Sequence, residues 1–413
     1  MKIAVVAMFI SPYKGSERSV AWNYVKHISK VHDLTVYYAM DKEDIESYEL
    51  SDVSTKVKVK YVQVDLKHQI SQNMLLHRYY KIKNWNKWQR QVKNLIAKES
   101  GNYDLIHYVG PIGFMEPGYL YELNKPYIWG PISGVHTWPQ VFLKYPRFDI
   151  YLQFVSRFLM YFPLFCSKSV RNAFEDTDVI LSATPETHYQ IKKYFNRVSI
   201  ILPENGIEIM ETTRPVDISK GLHIFFNGGN DYRKGFLILL DALAFVKGHY
   251  TLHVVGDDDN AISSDFKKYV QRKGVKNIIW HGQRTRAEVQ EILLACNLNI
   301  ITSASEGNPT IIWEAMSKGI PTLSFDYCGM SNVICNKCGI KIPVKSHKEV
   351  IEAISCEIEA IISDPSILLR LSEGVLECAK KYLWKNRVAF FNETYQNAIE
   401  IHAKNKNLNF IKK

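Results

Sequence analysis

The chain has 413 residues, of which 46% are hydrophobic and 23% are charged, and its net charge at pH 7 is +10. This composition excludes an intrinsically disordered chain, and the length predicts two domains. No apolar run approaches the ~20 residues that a membrane-spanning helix needs. The amino-terminal stretch lacks the long apolar core and cleavage site of a signal peptide, so we expect a cytoplasmic protein.

The positive charge calls for an anionic partner, and nucleic acid, an anionic membrane surface and a phosphorylated substrate are the candidates. Aromatic and basic side chains are concentrated in residues 74–90, which we call the basic segment. Its cations include Arg78, Lys81, Lys83 and Lys87. A helix of this composition suits the inner face of an anionic membrane, and residues 148–165 form a second apolar-aromatic stretch that suits the same surface. An amphipathic helix that packs on a core and exposes a basic face explains the basic segment equally well.

Short apolar runs alternate with helical patterns through the first half of the chain. The predicted strands are Ile3 to Met8, Leu34 to Ala39, Val57 to Val64, Leu105 to Val109, Tyr127 to Trp129 and Val179 to Ser182. The predicted helices include Ser16 to Lys30 and Gln89 to Lys98. This alternation predicts an α/β fold with a parallel sheet, which binds ligands at the carboxyl ends of its strands.

The second half repeats the alternation after a polar linker, Glu211 to Lys220. Its predicted strands are Leu222 to Phe226, Thr251 to Val255, Ile278 to Trp280, Leu298 to Ile301 and Thr322 to Phe325. Its predicted helices are Phe236 to Val246, Asp265 to Lys273, Ala287 to Cys296 and one that opens at Pro309. The chain is predicted to be mostly helical after Ser346.

The segment from Ser303 to Pro321 carries the chemistry around which the rest is organised. Asn308 is predicted to be the N-cap of a helix and Pro309 its first residue, and Gly319 follows its end. The free N–H groups of a helix start hold anions, and Thr310 belongs to this start. Glu306 precedes the helix and Glu314 lies within it. Two carboxylates beside an anion-binding helix start suit a ligand that carries phosphates and sugar hydroxyls.

This segment, with Glu306-x7-Glu314 followed by Ala-Met-Ser-Lys-Gly-Ile-Pro, resembles the signature of retaining glycosyltransferases of family 4. The resemblance implies the GT-B fold, in which two Rossmann-like domains face each other across a deep cleft. It implies an acceptor-binding domain at 1–210, a donor-binding domain at 211–385 and a last helix, about 386–404, that crosses back to the first. In this family the first Glu contacts the donor sugar and the second binds the ribose of the nucleotide.

Other loops resemble the family's donor-binding segments. After the first strand of the second half, Gly228 and Gly229 precede Arg233 and Lys234, which resemble the cations that neutralise the leaving diphosphate. Many members place the Arg where this chain has Gly229, so Arg233 is predicted to substitute for it. The remaining donor-side candidates are Gly15, Ser16, Gly282 and Arg284. Of these, Gly15 and Ser16 stand where the family usually has Gly-Gly, and the other two stand near the position of the nucleobase.

His107 and His136 are the candidates on the acceptor side. Asp104 to His107 resembles the family's strand that ends in His, and His136 lies in the turn-rich loop after Trp129. Each histidine is able to hydrogen-bond a sugar hydroxyl, although a lone histidine is as often a satisfied structural residue. Cys335-Asn-Lys-Cys338 is a lone CxxC without a second pair, so we expect no zinc site and interpret these thiols as structural or incidental.

The resemblance implies a retaining hexosyltransferase that uses no cofactor and no metal. Its partners would be a nucleotide-sugar donor and a glycan or lipid-linked glycan acceptor, as in polysaccharide, lipopolysaccharide or capsule biosynthesis. A sugar-nucleotide epimerase of the same fold is the alternative. A nucleic-acid-binding protein is a third reading, but no recognition-helix, RRM or zinc-finger pattern supports it, and we expect no nucleic-acid partner.

Overall fold

The predicted alternation of strands and helices is present in the computed structural model, which forms two units. Unit 1 comprises residues 1–135, 161–205 and 385–413, and unit 2 comprises residues 136–160 and 206–384. The structure describes the chain except for residues 16, 41, 52–58, 67–73, 115–116, 135–138, 146–154, 156–166, 209–216, 230, 258 and 412–413. The helical residues 47–51, 74–82 and 408–411 are described as backbone only.

Unit 1 contains a parallel sheet of seven strands in the order β3-β2-β1-β4-β5-β6-β7. The strands are β1 Lys2–Ala7, β2 Asp33–Tyr38, β3 Val59–Gln63, β4 Leu105–Gly110, β5 Tyr127–Ile132, β6 Val179–Ser182 and β7 Ile200–Ile201. The helices are α1 Glu17–Ile28, α2 Lys42–Ser51, α3 Met74–Lys98, α4 Lys168–Asp176, α5 Pro185–Phe195 and, after unit 2, α13 Trp384–Ile411. The central strand β1 is buried along almost its whole length, which explains its nearly continuous apolar sequence.

Unit 2 contains a parallel sheet of six strands in the order β10-β9-β8-β11-β12-β13. The strands are β8 Leu222–Asn227, β9 Tyr250–Val255, β10 Ile278–Gly282, β11 Leu298–Ile301, β12 Thr322–Phe325 and β13 Gly339–Ile342. The helices are α6 Phe236–Leu243, α7 Ala261–Lys273, α8 Arg286–Leu294, α9 Thr310–Ser317, α10 Cys328–Val333, α11 His347–Ser363 and α12 Ser366–Ala379. The central strands β8 and β11 bring the loops that follow them to the same edge of the sheet, because parallel strands share one direction.

The predicted strands are all present, and the structure adds β7 and β13. The sequence did not reveal β7 because it has only two residues, and β13 because it begins at a glycine in a region that reads as a turn.

Helix α3 contains the basic segment and packs one apolar stripe into the core of unit 1. Trp88, Val92 and Ile96 are buried at helical spacing, and the Trp88 indole N–H donates to the Val64 carbonyl at 2.8 Å. Lys83 and Lys87 are exposed. For this part of the helix the structure therefore favours the amphipathic core helix over a helix whose tryptophan enters a bilayer. The side chains of Arg78 and Lys81 and the stretch 148–165, apart from Val155, lie outside the described residues.

Among the described residues, no helix combines the length and the apolar character that a membrane crossing requires.

Candidate functional site

A tight turn after β8 carries the two cations predicted to bind a diphosphate. The Asp231 carboxylate accepts a hydrogen bond from the Arg233 N–H at 2.8 Å and so caps the short 3₁₀ turn Tyr232–Lys234. Gly228 has φ +135°, and a Cβ there would lie 2.4 Å from Lys234 Cγ. Glycine is therefore required where the stem of Lys234 crosses the preceding chain.

This turn is fastened to the segment that follows β11. The Ala304 N–H donates to the Arg233 carbonyl at 2.8 Å, and the Thr302 hydroxyl donates to the Gly235 carbonyl at 3.0 Å. Gly235 has φ +73°, and a Cβ there would lie 2.0 Å from the Thr302 carbonyl oxygen. The close approach of two backbones, permitted by glycine, thus sets the turn cations beside the loop that carries Glu306.

The Glu306 carboxylate joins both cations through one oxygen. Glu306 Oε1 lies 2.7 Å from Lys234 Nζ and 2.8 Å from Arg233 Nη1. The same Nη1 donates to the Ser305 carbonyl at 2.8 Å, and Arg233 Nη2 lies 3.1 Å from Asp231 Oδ2. Predicted separately from two distant segments, Arg233, Lys234 and Glu306 therefore form one cluster.

The charges of the cluster stabilise each other although they are largely buried. The side chain of Glu306 is 12% exposed, and burial by itself raises its pKa, but Lys234 and Arg233 outweigh burial and hold the pKa below its ordinary value. Burial lowers the pKa of Arg233, but Glu306 and Asp231 leave it raised overall. Glu306 is thus an anion and Arg233 a cation at neutral pH. Glu306 and Asp231 together balance the charges of Arg233 and Lys234, so an anionic ligand would bind by taking over hydrogen bonds of these two cations and not through an excess of positive charge.

The helix start next to Glu306 differs by one residue from the prediction. Pro309, with φ −60° and ψ 135°, is the N-cap, and Thr310 is the first residue of α9. Asn308 was predicted to be the N-cap, but its side-chain amide donates instead to the Gly329 carbonyl at 3.0 Å. A tertiary acceptor therefore replaces the local capping interaction. The anion-binding role predicted for the first N–H groups of this helix stays a prediction, now with Thr310 as the first helical residue.

Asn308 and its neighbours are held in place by the start of α10. The Gly329 N–H donates to the Glu306 carbonyl at 3.3 Å, and a Cβ on Gly329 would lie 1.3 Å from the Gly307 carbonyl oxygen. No residue other than glycine fits at position 329 with the loop in this conformation. The loop between Glu306 and α9 is thus supported from both sides, which preorganises it.

Glu314 pairs with an arginine that sequence reasoning missed. Glu314 is 15% exposed, and its Oε1 lies 3.2 Å from Arg286 Nε. Burial raises the pKa of Glu314 although Arg286 opposes the shift. Arg284 was predicted to lie near the nucleobase of the donor, and that role stays a prediction; in the structure its Nε lies 4.0 Å from Glu288 Oε1. The capping box of Thr285 and Glu288 starts α8 at Arg286, and this signal was available in the sequence, but the contact with Glu314 depends on the fold.

The remaining glycine candidates of unit 2 lie at strand ends. Gly228 and Gly229 both donate their N–H groups to the Val255 carbonyl, at 2.9 and 3.1 Å. A Cβ on Gly229 would lie 2.8 Å from Val254 Cγ1, so an arginine at this position would require the Val254 side chain or the loop to shift. Gly282 has φ +71° and accepts a hydrogen bond from the Gly256 N–H at 3.1 Å.

In unit 1 the predicted acceptor-side histidine is fully buried. His107 Nδ1 lies 2.8 Å from the Tyr24 hydroxyl and Nε2 lies 2.9 Å from the Gly130 carbonyl oxygen, so both ring nitrogens are engaged. Burial lowers the pKa of His107 to about 4, and the ring is neutral. The structure therefore favours the structural role over contact with a sugar. Gly15 is exposed, whereas Ser16 and His136 lie outside the described residues.

Residues 221–359 match the model of the family described as glycosyl transferases group 1. A lipopolysaccharide 1,6-galactosyltransferase of Salmonella typhimurium is 37% identical over 94 residues, which are 21% of this chain and 25% of that protein. The chain thus spans about a quarter of the length of the curated relatives it matches first.

Structural comparison covers nearly the whole chain. A lipopolysaccharide outer core galactosyltransferase, WaaB in its apo form, superposes with a TM-score of 0.62 at 18% identity over 97% of this chain and 99% of that one. The HepE protein of Anabaena in complex with UDP-glucose gives a TM-score of 0.59 at 14% identity over 97% and 99%. These likenesses confirm the predicted GT-B fold.

Proposed function

Because residues 221–359 belong to the group 1 glycosyltransferases and the chain has the GT-B fold, we propose that the protein is a retaining, metal-independent hexosyltransferase. It moves a sugar from a nucleotide-diphosphate donor to an acceptor hydroxyl. The observation that carries the proposal is the cluster of Arg233, Lys234 and Glu306 beside the start of α9.

The donor's diphosphate binds to Arg233, Lys234 and the first N–H groups of α9. Arginine offers a planar fork of donors and lysine a point charge, and both suit phosphate oxygens. Glu306 orients the sugar ring by accepting hydrogen bonds from its hydroxyls. Glu314, held by Arg286, accepts hydrogen bonds from the ribose.

In the reaction the bond between the anomeric carbon and the diphosphate oxygen breaks, and a bond to the acceptor oxygen forms on the same face of the sugar. The acceptor's proton passes to the departing diphosphate. The cluster stabilises the negative charge that develops on the leaving group, and its preorganisation lowers the barrier because the cations need not reorient.

A UDP-sugar donor and a lipopolysaccharide-type glycan acceptor are the substrates we propose. The HepE structure contains UDP-glucose, and the sequence relative from Salmonella is a lipopolysaccharide galactosyltransferase. A lipid-linked acceptor would place the enzyme at the inner face of a membrane, where exposed cations such as Lys83 and Lys87 add ~1 kcal/mol each. Flotation with anionic and neutral liposomes tests this location. Binding should require anionic lipid and weaken in the variant Lys83→Gln/Lys87→Gln, and equal recovery with neutral liposomes would contradict it.

The activity is tested with a panel of sugar nucleotides. The donor that raises the melting temperature most is incubated with lipopolysaccharide core acceptors, and the anomeric configuration of the product is determined by NMR. We expect transfer with retention, and transfer that is strongly slowed but measurable in Glu306→Gln. Conversion of the sugar nucleotide to its epimer without an acceptor would assign the protein to the alternative class, and inversion of configuration would refute the mechanism.

A further inference from the structure

Three cysteine thiols from two separate segments meet in unit 2. Cys335 Sγ lies 3.6 Å from Cys338 Sγ and 3.2 Å from Cys378 Sγ, and all three sulfurs lie within 4.8 Å of one another. Cys378 is 43 residues beyond Cys335, so the lone CxxC of the sequence gave no indication of a third thiol.

Backbone contacts position the three thiols from both segments. The Cys338 and Gly339 N–H groups donate to the Cys335 carbonyl at 2.9 and 3.0 Å, and the Cys335 N–H donates to Cys338 Sγ at 3.3 Å. Helix α12 contacts this turn directly, because a Cβ on Gly374 would lie 1.8 Å from the Lys337 carbonyl oxygen. Cys378 lies one helical turn after Gly374 on the same face, so the close approach of the helix places Cys378 Sγ beside the other two sulfurs.

We propose that Cys335, Cys338 and Cys378 bind a thiophilic divalent metal ion, with Zn²⁺ as the natural occupant. Zinc binds cysteine sulfur at ~2.3 Å in tetrahedral geometry, which separates the sulfurs of a site by ~3.8 Å. The distances of 3.2 and 3.6 Å, with the third pair within 4.8 Å, lie around that value. A disulfide between two of the thiols requires ~2.05 Å and would leave the third without a function. The N–H group directed at a sulfur orients a metal-bound thiolate.

The surroundings suit the charge of such a site. A pocket of about 380 Å³ opens onto Cys335 and Cys378, and its charged lining residues are Lys337, Lys341, Lys381 and Glu377. Three thiolates and a divalent ion carry a net charge of −1, which the net positive charge of this lining offsets. Cys338 is 2% exposed, so the ion enters from the pocket, and a water or small anion completes its coordination.

A metal in this position ties α12 to the turn that precedes β13. Its effect is therefore on the stability of unit 2, because an ion bound only by the folded state stabilises that state. None of the cluster residues Arg233, Lys234 and Glu306 takes part.

The test uses the full chain, reduced with a non-thiol reductant, freed of metal and titrated with Cd²⁺. We expect one equivalent to bind with sulfur-to-cadmium absorption in the ultraviolet and to raise the melting temperature. Cys335→Ser should lose both signals, and Cys356→Ser should keep them because Cys356 is an exposed cysteine on α11. Cys335 is chosen because it is partly exposed, so serine disturbs packing least.

A second readout needs no variant and stays valid if Cys335→Ser fails to fold. Zn²⁺ should slow alkylation of Cys335 and Cys378 by at least about tenfold in the wild type while Cys356 reacts at an unchanged rate, as measured by mass spectrometry of peptides. A reduced wild type that takes up no Cd²⁺, or equal alkylation with and without Zn²⁺, overturns the proposal. A Cys335–Cys378 disulfide in the same sample before reduction would then assign the pair to redox chemistry.

Discussion

Replacing Lys234 with methionine removes one of the two cations that share Glu306 and keeps most of the stem that passes Gly228. Lys234 Nζ lies 2.7 Å from Glu306 Oε1, and the side chains are 24% and 12% exposed. Arg233 remains 2.8 Å from the same oxygen, so Glu306 is not left as an unpaired buried charge, which would cost about 3–5 kcal/mol. We therefore expect a stability loss of about 1.5–3 kcal/mol, the range for one hydrogen bond to a charged group.

The expected loss of turnover has a separate cause, which is the donor that the leaving group loses. Removing one preorganised donor from a leaving group commonly lowers the rate by about 10², which corresponds to about 2.7 kcal/mol of transition-state stabilisation. The assay combines initial rates of sugar transfer with urea unfolding for Lys234→Met, Glu306→Gln and the double variant. Lys276→Met is the matched control, because Lys276 is an exposed lysine of unit 2 outside the cluster.

The two measurements separate a catalytic role from a structural one. If Lys234 only neutralises Glu306, the double variant should recover stability and transfer sugar as fast as Glu306→Gln alone. If Lys234 binds the diphosphate, the double variant should be slower than Glu306→Gln by about another order of magnitude or more. Turnover of Lys234→Met within about threefold of the Lys276→Met control would refute the assignment of Lys234 to the leaving group.

Four further outcomes are expected. Arg233→Ala should lower turnover by about two orders of magnitude, and near-native turnover would show that it does not substitute for the arginine that the family places at Gly229. Glu314→Ala and Arg286→Ala should both weaken donor binding in titration calorimetry with the fold intact. The first variant removes the hydrogen-bond acceptor of the ribose, and the second removes the arginine that holds this acceptor in place. An unchanged donor Kd in Glu314→Ala would remove this carboxylate from the site. Sugar transfer measured well below the melting temperature should survive EDTA, and a strict requirement for Mg²⁺ or Mn²⁺ would contradict binding of the diphosphate by side chains and a helix start. The pKa of His107 falls from 6.5 to about 4 on folding, so its contribution to stability is complete above pH 6.5 and is lost as the pH falls towards 4, by about 1.4 kcal/mol per pH unit. Urea unfolding between pH 7 and 4.5 should show this slope. A slope that is unchanged in His107→Gln would contradict the prediction.

The order of strands and helices could be predicted from the sequence by itself, and the structure confirms it. Apolar runs such as Ile3 to Met8 are continuous because a central parallel strand is buried on both faces, and this signal is local. The motif around Glu306 and Glu314, and the pair Arg233 and Lys234, were also evident, because strand ends and helix starts show in nearby residues.

The pairing of side chains was decided by the tertiary structure. Arg286, which the sequence did not single out, reaches Glu314 because α8 presents its first residue towards α9. Asn308 is not the N-cap, because its side-chain amide donates to the Gly329 carbonyl of another segment. Cys378 joins the CxxC only because Gly374 lets a distant helix touch the turn. These contacts join residues that are far apart in the chain. The residues near each position in the sequence do not predict which distant partner the folded backbone brings within hydrogen-bonding distance.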